Sequence, residues 1–130
     1  MTKQRLINDC LEMPDAYVDY PYGPEVEVIK NKEGKSFALV GDVEVDAMKR
    51  SCGADAPIER GDIFITLKCA PELIYIMRDE YAAVLPGYYS NKNHWNTIIL
   101  GKDFSYEEIK KCIRLSYELV TKKTIFKLTK

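Results

Sequence analysis

The sequence contains a single histidine, His94, and lacks the motifs on which most small enzymes depend. It has no glycine-x-serine-x-glycine elbow, no phosphate loop and no dinucleotide fingerprint. Its adjacent acidic pairs, at 79–80 and 107–108, diverge on a helix, which is poor geometry for a paired acid and base. These absences predict a protein that is not an enzyme and that has no cofactor.

The sequence also has few residues in the spacing that binds a metal ion. The four cysteines show no CxxC spacing, and only one histidine is available to join them. Their positions on apolar faces favour small buried hydrophobes in a reducing compartment, with no metal site. The cysteines are Cys10, Cys52, Cys69 and Cys112.

Long hydrophobic runs are missing as well. The longest clean ones, such as 37–40 and 98–100, fall far short of the roughly 18 residues of a membrane span. The N-terminal residues have no apolar signal region, so we expect a cytoplasmic protein. With 130 residues, 46% of them hydrophobic and 30% charged, the chain is expected to form one domain over residues 1–130.

A large excess of positive charge is absent too, since the formal net charge is -1 and the pI is about 5.9. The distribution is uneven, because residues 1–60 carry net -4, residues 61–104 net -1 and residues 105–130 net +4. This balance argues against a simple polyanion binder but allows a local basic patch.

The hydrophobic periodicity predicts an α+β fold in the order α-β(3)-α-β(2)-α, a two-layer sandwich with a mainly antiparallel sheet. We expect the helices on one face of the sheet and the other face open. Residues 17–24, rich in Tyr and Pro, are expected to be irregular, and 41–61 to hold at most a short helix near 45–50. The predicted helices are 3–13, 71–80 and 105–121, and the predicted strands are 26–30, 36–40, 63–69, 88–90 and 95–100.

The segment 86–97 is the most distinctive, because it combines a turn, two tyrosines, a lysine, a histidine and the only tryptophan. One interpretation is a recognition loop, in which Lys92 contacts phosphate and an aromatic ring stacks on a base. Hydrogen bonds would come from Asn91, Asn93 and His94. The alternative is structural: Trp95 anchors the core and Asn96 satisfies irregular backbone.

Several short motifs in order resemble the MmcQ/YjbR family. They are 22–26 (YGPEV), 37–39 (FAL), 67–73 (LKCAPEL), 86–88 (PGY), 91–97 (NKNHWNT) and 116–120 (SYELV). The resemblance implies a compact α+β fold similar to secretion chaperones and frataxin-like sheets. It also implies a small bacterial cytoplasmic protein with a DNA-binding role, described in terms of two wing-like hairpins.

In residue terms, the DNA hypothesis has two wings and a basic C-terminal end. Lysines would contact phosphates, and Asn93 and His94 would add hydrogen bonds. Binding would be weak and salt-dependent. The candidate residues are Lys30, Lys32 and Lys35 for the first wing, Lys92, Asn93 and His94 for the second, and Lys122 and Lys123 after the last helix.

The alternative hypothesis is a module that binds a protein or a small ligand. Five of the nine tyrosines lie in loops or at strand ends, and such rings suit a contact surface beside an open sheet face. The same rings could instead pack under the proline-rich loop. Salt dependence separates the two functions, because only phosphate binding falls steeply with salt.

Overall fold

The computed structural model describes residues 2–122 as four α-helices and six β-strands. In chain order the elements are α1 (Lys3–Cys10), β1 (Tyr17–Asp19), β2 (Val26–Lys30), β3 (Ser36–Asp42), α2 (Val45–Cys52), β4 (Ile63–Lys68), α3 (Pro71–Glu80), β5 (Val84–Pro86), β6 (Trp95–Ile99) and α4 (Tyr106–Thr121).

Local sequence chemistry explains where three of the helices begin. The Thr2 side chain accepts a hydrogen bond from the amide of Arg5, 3.1 Å away, and so caps α1. Ser105 caps α4 in the same way, accepting from the amide of Glu108 at 3.2 Å. Pro71 occupies the first position of α3, where its missing N–H costs nothing.

The six strands form one antiparallel sheet in the order β1-β2-β3-β4-β6-β5. The only departure from sequential order is that β4 pairs with β6, because β5 turns back onto the outer edge. The predicted α+β class with a mainly antiparallel sheet is therefore confirmed.

One face of the sheet, here called the helical face, is covered by α1, α3 and α4. Strand residues such as Val40, Ile65 and Ile98 pack there against helix residues such as Leu6 and Ile113, all of them at most 2% exposed. Burying these side chains is the main stabilising contribution of this layer.

The opposite face is where the structure departs from the prediction of an open face. Met48 of α2 is fully buried against Phe64, Ile99 and Leu85, whose side chains alternate with those of the helical face. Val26, Val28 and Leu39 form a second buried group there. The expected open surface is therefore largely covered, since α2 and the segment that follows it pack onto it.

The predicted order α-β(3)-α-β(2)-α also changes. An extra strand, β1, lies inside the stretch expected to be irregular, and the short helix considered near 45–50 is a full element, α2. The strand expected at 88–90 is instead β5, before the Pro86–Gly87 break, and Tyr89 has a left-handed φ of 69°. That φ is rare for a non-glycine residue in a strand.

The strand registers determine which loops share one end of the sheet. Lys30 pairs with Ser36, Lys68 with Trp95, and Asn96 with Pro86. The turn 31–35 and the loop 87–94 therefore emerge at the same end, which we call the loop end. Because β3 and β6 are separated by β4 alone, the two loops leave strands roughly 10 Å apart.

Candidate functional site

The loop end brings together parts of the two predicted wings and the end of the last helix. Lys32, Lys35 and Lys122 are exposed there, and their side chains have no hydrogen bond or ion pair within residues 2–122. Lys122 follows α4 in a left-handed conformation, with φ 58° and ψ 29°. Lys123 lies outside the described residues.

Asn31 joins the hairpin turn to the end of α4. Its side-chain oxygen accepts from the amides of Glu33 at 3.0 Å and Lys35 at 2.9 Å, which shapes the turn. Its side-chain amide donates to the Thr121 hydroxyl at 3.3 Å, and the residue is only 1% exposed. The hairpin turn that carries Lys32 and Lys35 is consequently held next to the end of α4, which is followed by Lys122.

Lys30 is committed to a partner inside the protein. Its ammonium donates to Asp19 of the neighbouring edge strand at 2.7 Å. The hydrogen bond raises the pKa of Lys30 and lowers the pKa of Asp19. Among the first-wing candidates, Lys30 stabilises the β1–β2 pair, whereas Lys32 and Lys35 project from the turn.

Lys92, predicted as the phosphate ligand of the second wing, is likewise occupied. Its ammonium donates to the carbonyl of Gly87 at 2.9 Å and to the hydroxyl of Ser51, in α2, at 3.0 Å. The side chain is half-buried. Lys92 therefore ties the loop 87–94 to the helix on the opposite face of the sheet.

Arg78 of α3 holds the same loop from the helical face. Its guanidinium donates to Asn96 Oδ1 at 2.6 Å and to the carbonyls of Lys92 and Trp95. The fixed fork of five N–H donors suits such a set of acceptors. Sequence analysis missed this residue, because its partners come from a segment 14–18 positions later.

Tyr75, one turn before Arg78, completes the support. The guanidinium carbon of Arg78 lies 4.9 Å from the centre of the Tyr75 ring, and the Tyr75 hydroxyl donates to Asn93 Oδ1 at 2.7 Å. Asn93 and His94 remain exposed at the tip of the loop. The loop 87–94, predicted as the second wing, is thus held in place from several sides and exposes the side chains of Asn93 and His94.

Lys68 is a further basic residue of the loop end that the sequence did not single out. It is the last residue of β4, is half-buried, and its ammonium has no partner within residues 2–122. Its backbone amide donates to Ser116 Oγ at 2.9 Å, while that hydroxyl donates to the carbonyl of Phe37 at 2.6 Å. In the sequence Lys68 is one of the polar residues of an alternating strand, so the pattern did not indicate that its ammonium group lies at the loop end.

Between α3 and α4 the helical face carries an apolar groove of about 440 Å³. Its floor includes Leu67 and Ile98, and its rims include Leu73, Ile76 and Leu115, which are 44–51% exposed. Leu73 and Ile76 of α3 thus lie at the rim of the groove and outside the core. The fully buried residue of α3 is instead Ile74.

The tyrosine-rich loops of the alternative hypothesis pack largely on one another. Tyr22 stacks on Tyr89 with ring centres 5.0 Å apart, and Tyr89 contacts Tyr88 at 4.5 Å. Tyr88 meets the buried Phe64 ring edge-on at 5.5 Å. Burial raises the pKa of Tyr88. These contacts resemble the packed arrangement more than an open aromatic pocket, although Tyr22 and Tyr89 remain about half exposed.

Two kinds of feature are absent from residues 2–122. No group of three or more His, Cys, Asp or Glu side chains is placed to hold a metal ion. None of the four helices combines the length and the apolar character needed to cross a bilayer.

Comparison with known proteins identifies relatives along most of the chain. The family model YjbR matches residues 11–119. The uncharacterized protein YbdF of Escherichia coli is 31% identical over 111 residues, covering 85% of this chain and 77% of that protein. The uncharacterized protein YjbR of Escherichia coli is 27% identical over 118 residues, covering 91% and 86% respectively.

The fold recurs in solved structures. The crystal structure of a protein from Pseudomonas syringae superimposes with a TM-score of 0.76 at 26% identity, covering 92% of this chain and 99% of that one.

Proposed function

The chain belongs to the YjbR family, and from this premise and the geometry of the loop end we propose that it is a non-catalytic DNA-binding protein. Its lysines contact the phosphate backbone, and the loop 87–94 lies beside them. The observation that carries the proposal is the convergence of the hairpin turn, the end of α4 and this loop at one end of the sheet.

The residues of the proposed interface divide into two roles. Lys32, Lys35, Lys68 and Lys122 supply ammonium groups without partners among residues 2–122, so they can meet phosphates at no cost in broken ion pairs. Asn93 and His94 supply hydrogen bonds from a loop that Arg78 and Lys92 already hold in place. Lys30 and Lys92 then position the interface without touching DNA.

The charge of the whole protein limits the affinity. With a net charge of -1 there is no general attraction to a polyanion, so binding depends on the local cluster and is weak at physiological salt. Four neutralised phosphates give a slope of log K against log salt of about -3.6.

The test is a titration of isotope-labelled protein with a short DNA duplex, followed by NMR at several salt concentrations. We expect shift changes around Lys32, Lys68, Asn93 and Lys122 that fade as salt rises. Replacing Lys32 and Lys35 together by Ala should bring the slope from about -3.6 to about -1.8, since each lost phosphate contact removes about 0.9.

Lys110 provides the matched control. It is an exposed lysine near the N-terminus of α4, whereas the C-terminus of that helix lies at the loop end. Lys110→Ala should leave the slope unchanged. An absence of shifts at low salt, or an equal loss in the Lys110 variant, would reject the proposal. Salt-independent shifts along the tyrosines or the apolar groove would instead support the protein- or small-ligand-binding alternative.

A further inference from the structure

A column of aromatic rings runs from the hydrophobic layer opposite the helical face to the surface. It begins at Phe64, which is 1% exposed, and continues through Tyr88 and Tyr89. It ends at Tyr22, whose ring stacks on Tyr89 with the two planes 14° apart. Tyr22 is 53% exposed and contacts no other aromatic ring of residues 2–122. The face of the Tyr22 ring away from Tyr89 is therefore open to a further flat group.

The ring column is held in place before any ligand binds. Tyr89 has a left-handed φ of 69°, a conformation that is rare for a non-glycine residue and persists only where its surroundings impose it. The Tyr89 ring contacts Tyr88 at 4.5 Å and Tyr22 at 5.0 Å between ring centres. A ligand that stacks on Tyr22 consequently loses little free energy to ordering of the protein.

Tyr17 is a second open ring, and it lies beside the lysines of the hairpin turn. It is 42% exposed and pairs with Lys30 across β1 and β2. Its hydroxyl is 3.6 Å from the point that a Cβ atom on Gly34 would occupy. Gly34 belongs to the turn 31–35, which carries the exposed Lys32 and Lys35. An aromatic ring and two unpaired ammonium groups therefore meet at this turn.

Lys30 connects the two open rings. Its hydrogen bond to Asp19 raises the pKa of its ammonium, and charge interactions with the Tyr17 and Tyr22 hydroxyls raise that pKa further. Both hydroxyls thus lie within electrostatic reach of one ammonium group. The surface formed by Tyr17, Tyr22 and the turn 31–35 combines open aromatic faces with positive charge. Flat bases joined by phosphates complement both properties.

On the basis of the DNA-binding function proposed above, we propose that the DNA bound at the loop end is single-stranded. One unpaired base stacks on Tyr22 and another on Tyr17, while Lys32 and Lys35 contact phosphates. Aromatic side chains and lysines act together in this way in proteins that bind single strands. In a duplex each base is covered by its neighbours in the stack, so the tyrosine rings cannot reach a base face. A duplex then contacts the lysines alone.

The experiment measures fluorescence anisotropy of three labelled DNAs with the full chain at low salt. They are a short single strand of mixed sequence, the corresponding duplex, and an abasic strand of equal length that keeps every phosphate. The single strand should bind roughly 5- to 150-fold more tightly than the abasic strand, which is the stacking contribution of one base expressed as an affinity ratio. The duplex should resemble the abasic strand.

Substitutions separate stacking from charge. Tyr22→Leu and Tyr17→Leu should each weaken single-strand binding without changing its salt slope, and Tyr22→Phe should recover most of the affinity lost in Tyr22→Leu. Replacing Lys32 and Lys35 together by Ala should instead reduce the slope by about 1.4, because each phosphate contact with a single strand contributes about 0.7.

Tyr20→Leu is the matched control. Tyr20 is 49% exposed, but its hydroxyl donates to Glu27, which lies 3.8 Å from Lys3 of α1 on the helical face. This variant should bind the single strand like the wild type. Nitrogen–proton NMR spectra establish that each variant is folded.

The outcomes distinguish this inference from the function on which it rests. Duplex or abasic strand that binds as tightly as the single strand, or an equal loss in Tyr20→Leu, would overturn the single-strand assignment. Binding that still depends on Lys32 and Lys35 would then leave the DNA-binding function standing. No binding of any of the three DNAs at low salt would reject both.

Discussion

At the scale of single residues, the shape of the loop end is determined by side chains that hydrogen-bond to its loops. The exposed side chains, which have no such bonds, contribute less to that shape. Lys92 and Arg78 approach the loop 87–94 from opposite faces of the sheet, and both donate to its backbone carbonyls. An irregular loop has carbonyls without ladder partners, and charged donors satisfy them strongly. The exposed Asn93 and His94 owe their placement to these two cations.

Arg78→Lys is a direct test of this role. Lysine keeps the charge but cannot reach Asn96 and two carbonyls at once, so we expect a loss of about 2 kcal/mol in the free energy of unfolding. Urea unfolding measures the loss, and NMR shifts should change most at Asn93 and His94. Arg60→Lys, at an exposed position, should alter neither quantity. A loop spectrum unchanged by Arg78→Lys would argue against the positioning role.

The sequence marks several lysines as candidate phosphate contacts, but it does not reveal which of them are free of partners within the fold. Lys30 and Lys32 are alike in sequence, yet Asp19 occupies the first and leaves the second exposed. Similarly, the residues around Lys92 in the sequence do not indicate its hydrogen bond to Ser51, because Ser51 lies 41 positions earlier. Charge is a property of one residue, whereas availability depends on contacts that only the fold creates.

At the scale of elements, predictions succeeded where local chemistry is sufficient. The Ser105 cap and Pro71 mark helix starts by hydrogen bonding within one turn, so α3 and α4 were predicted closely. The β1 strand was not predicted, because its three residues are ordered by pairing with β2 and have no periodicity of their own. The same reasoning applies to β5, which has only three residues.

Asp103 connects two elements in a way that depends on pH. Its carboxylate accepts from the amides of Ala83 and Ala82, both at 2.8 Å, just before β5, and these bonds lower its pKa. A carboxylate with a lowered folded pKa contributes stability above its unfolded pKa of about 3.9 and loses it as the pH falls through the folded value.

We therefore expect Asp103→Asn to be less stable than the wild type at neutral pH, since an amide nitrogen cannot accept from the second N–H. Urea midpoints measured from pH 7 to pH 2 should show a gap between the two proteins that is constant above about pH 5 and closes in acid. A gap that does not change with pH would show that the carboxylate charge is not the cause.

At the scale of the whole molecule, the sheet is packed on both faces. The amphipathic patterns of α1 and α4 predicted the helical face, because each presents one apolar stripe. The segment 43–62 had no comparable pattern, although its residues Val43, Met48 and Ile58 build the opposite core. Its contacts are long-range, so the open face expected from sequence became a second hydrophobic layer.

Met48→Ala measures how much this second layer contributes. Met48 is fully buried, so truncation should cost about 2–5 kcal/mol of unfolding free energy. Ile76→Ala, at a position 51% exposed on the groove rim, should cost much less. Denaturant unfolding of both variants gives the comparison. Equal losses would mean that α2 adds little to the stability of the fold.

The order of the strands has a consequence for how the protein behaves at high concentration. The two outermost strands, β1 and β5, have three residues each, and β5 ends in Pro86, which has no amide hydrogen to donate. A foreign strand would find too few unpaired backbone groups along either border to add itself to the sheet. We therefore expect the sheet formed by residues 2–122 to resist edge-to-edge aggregation.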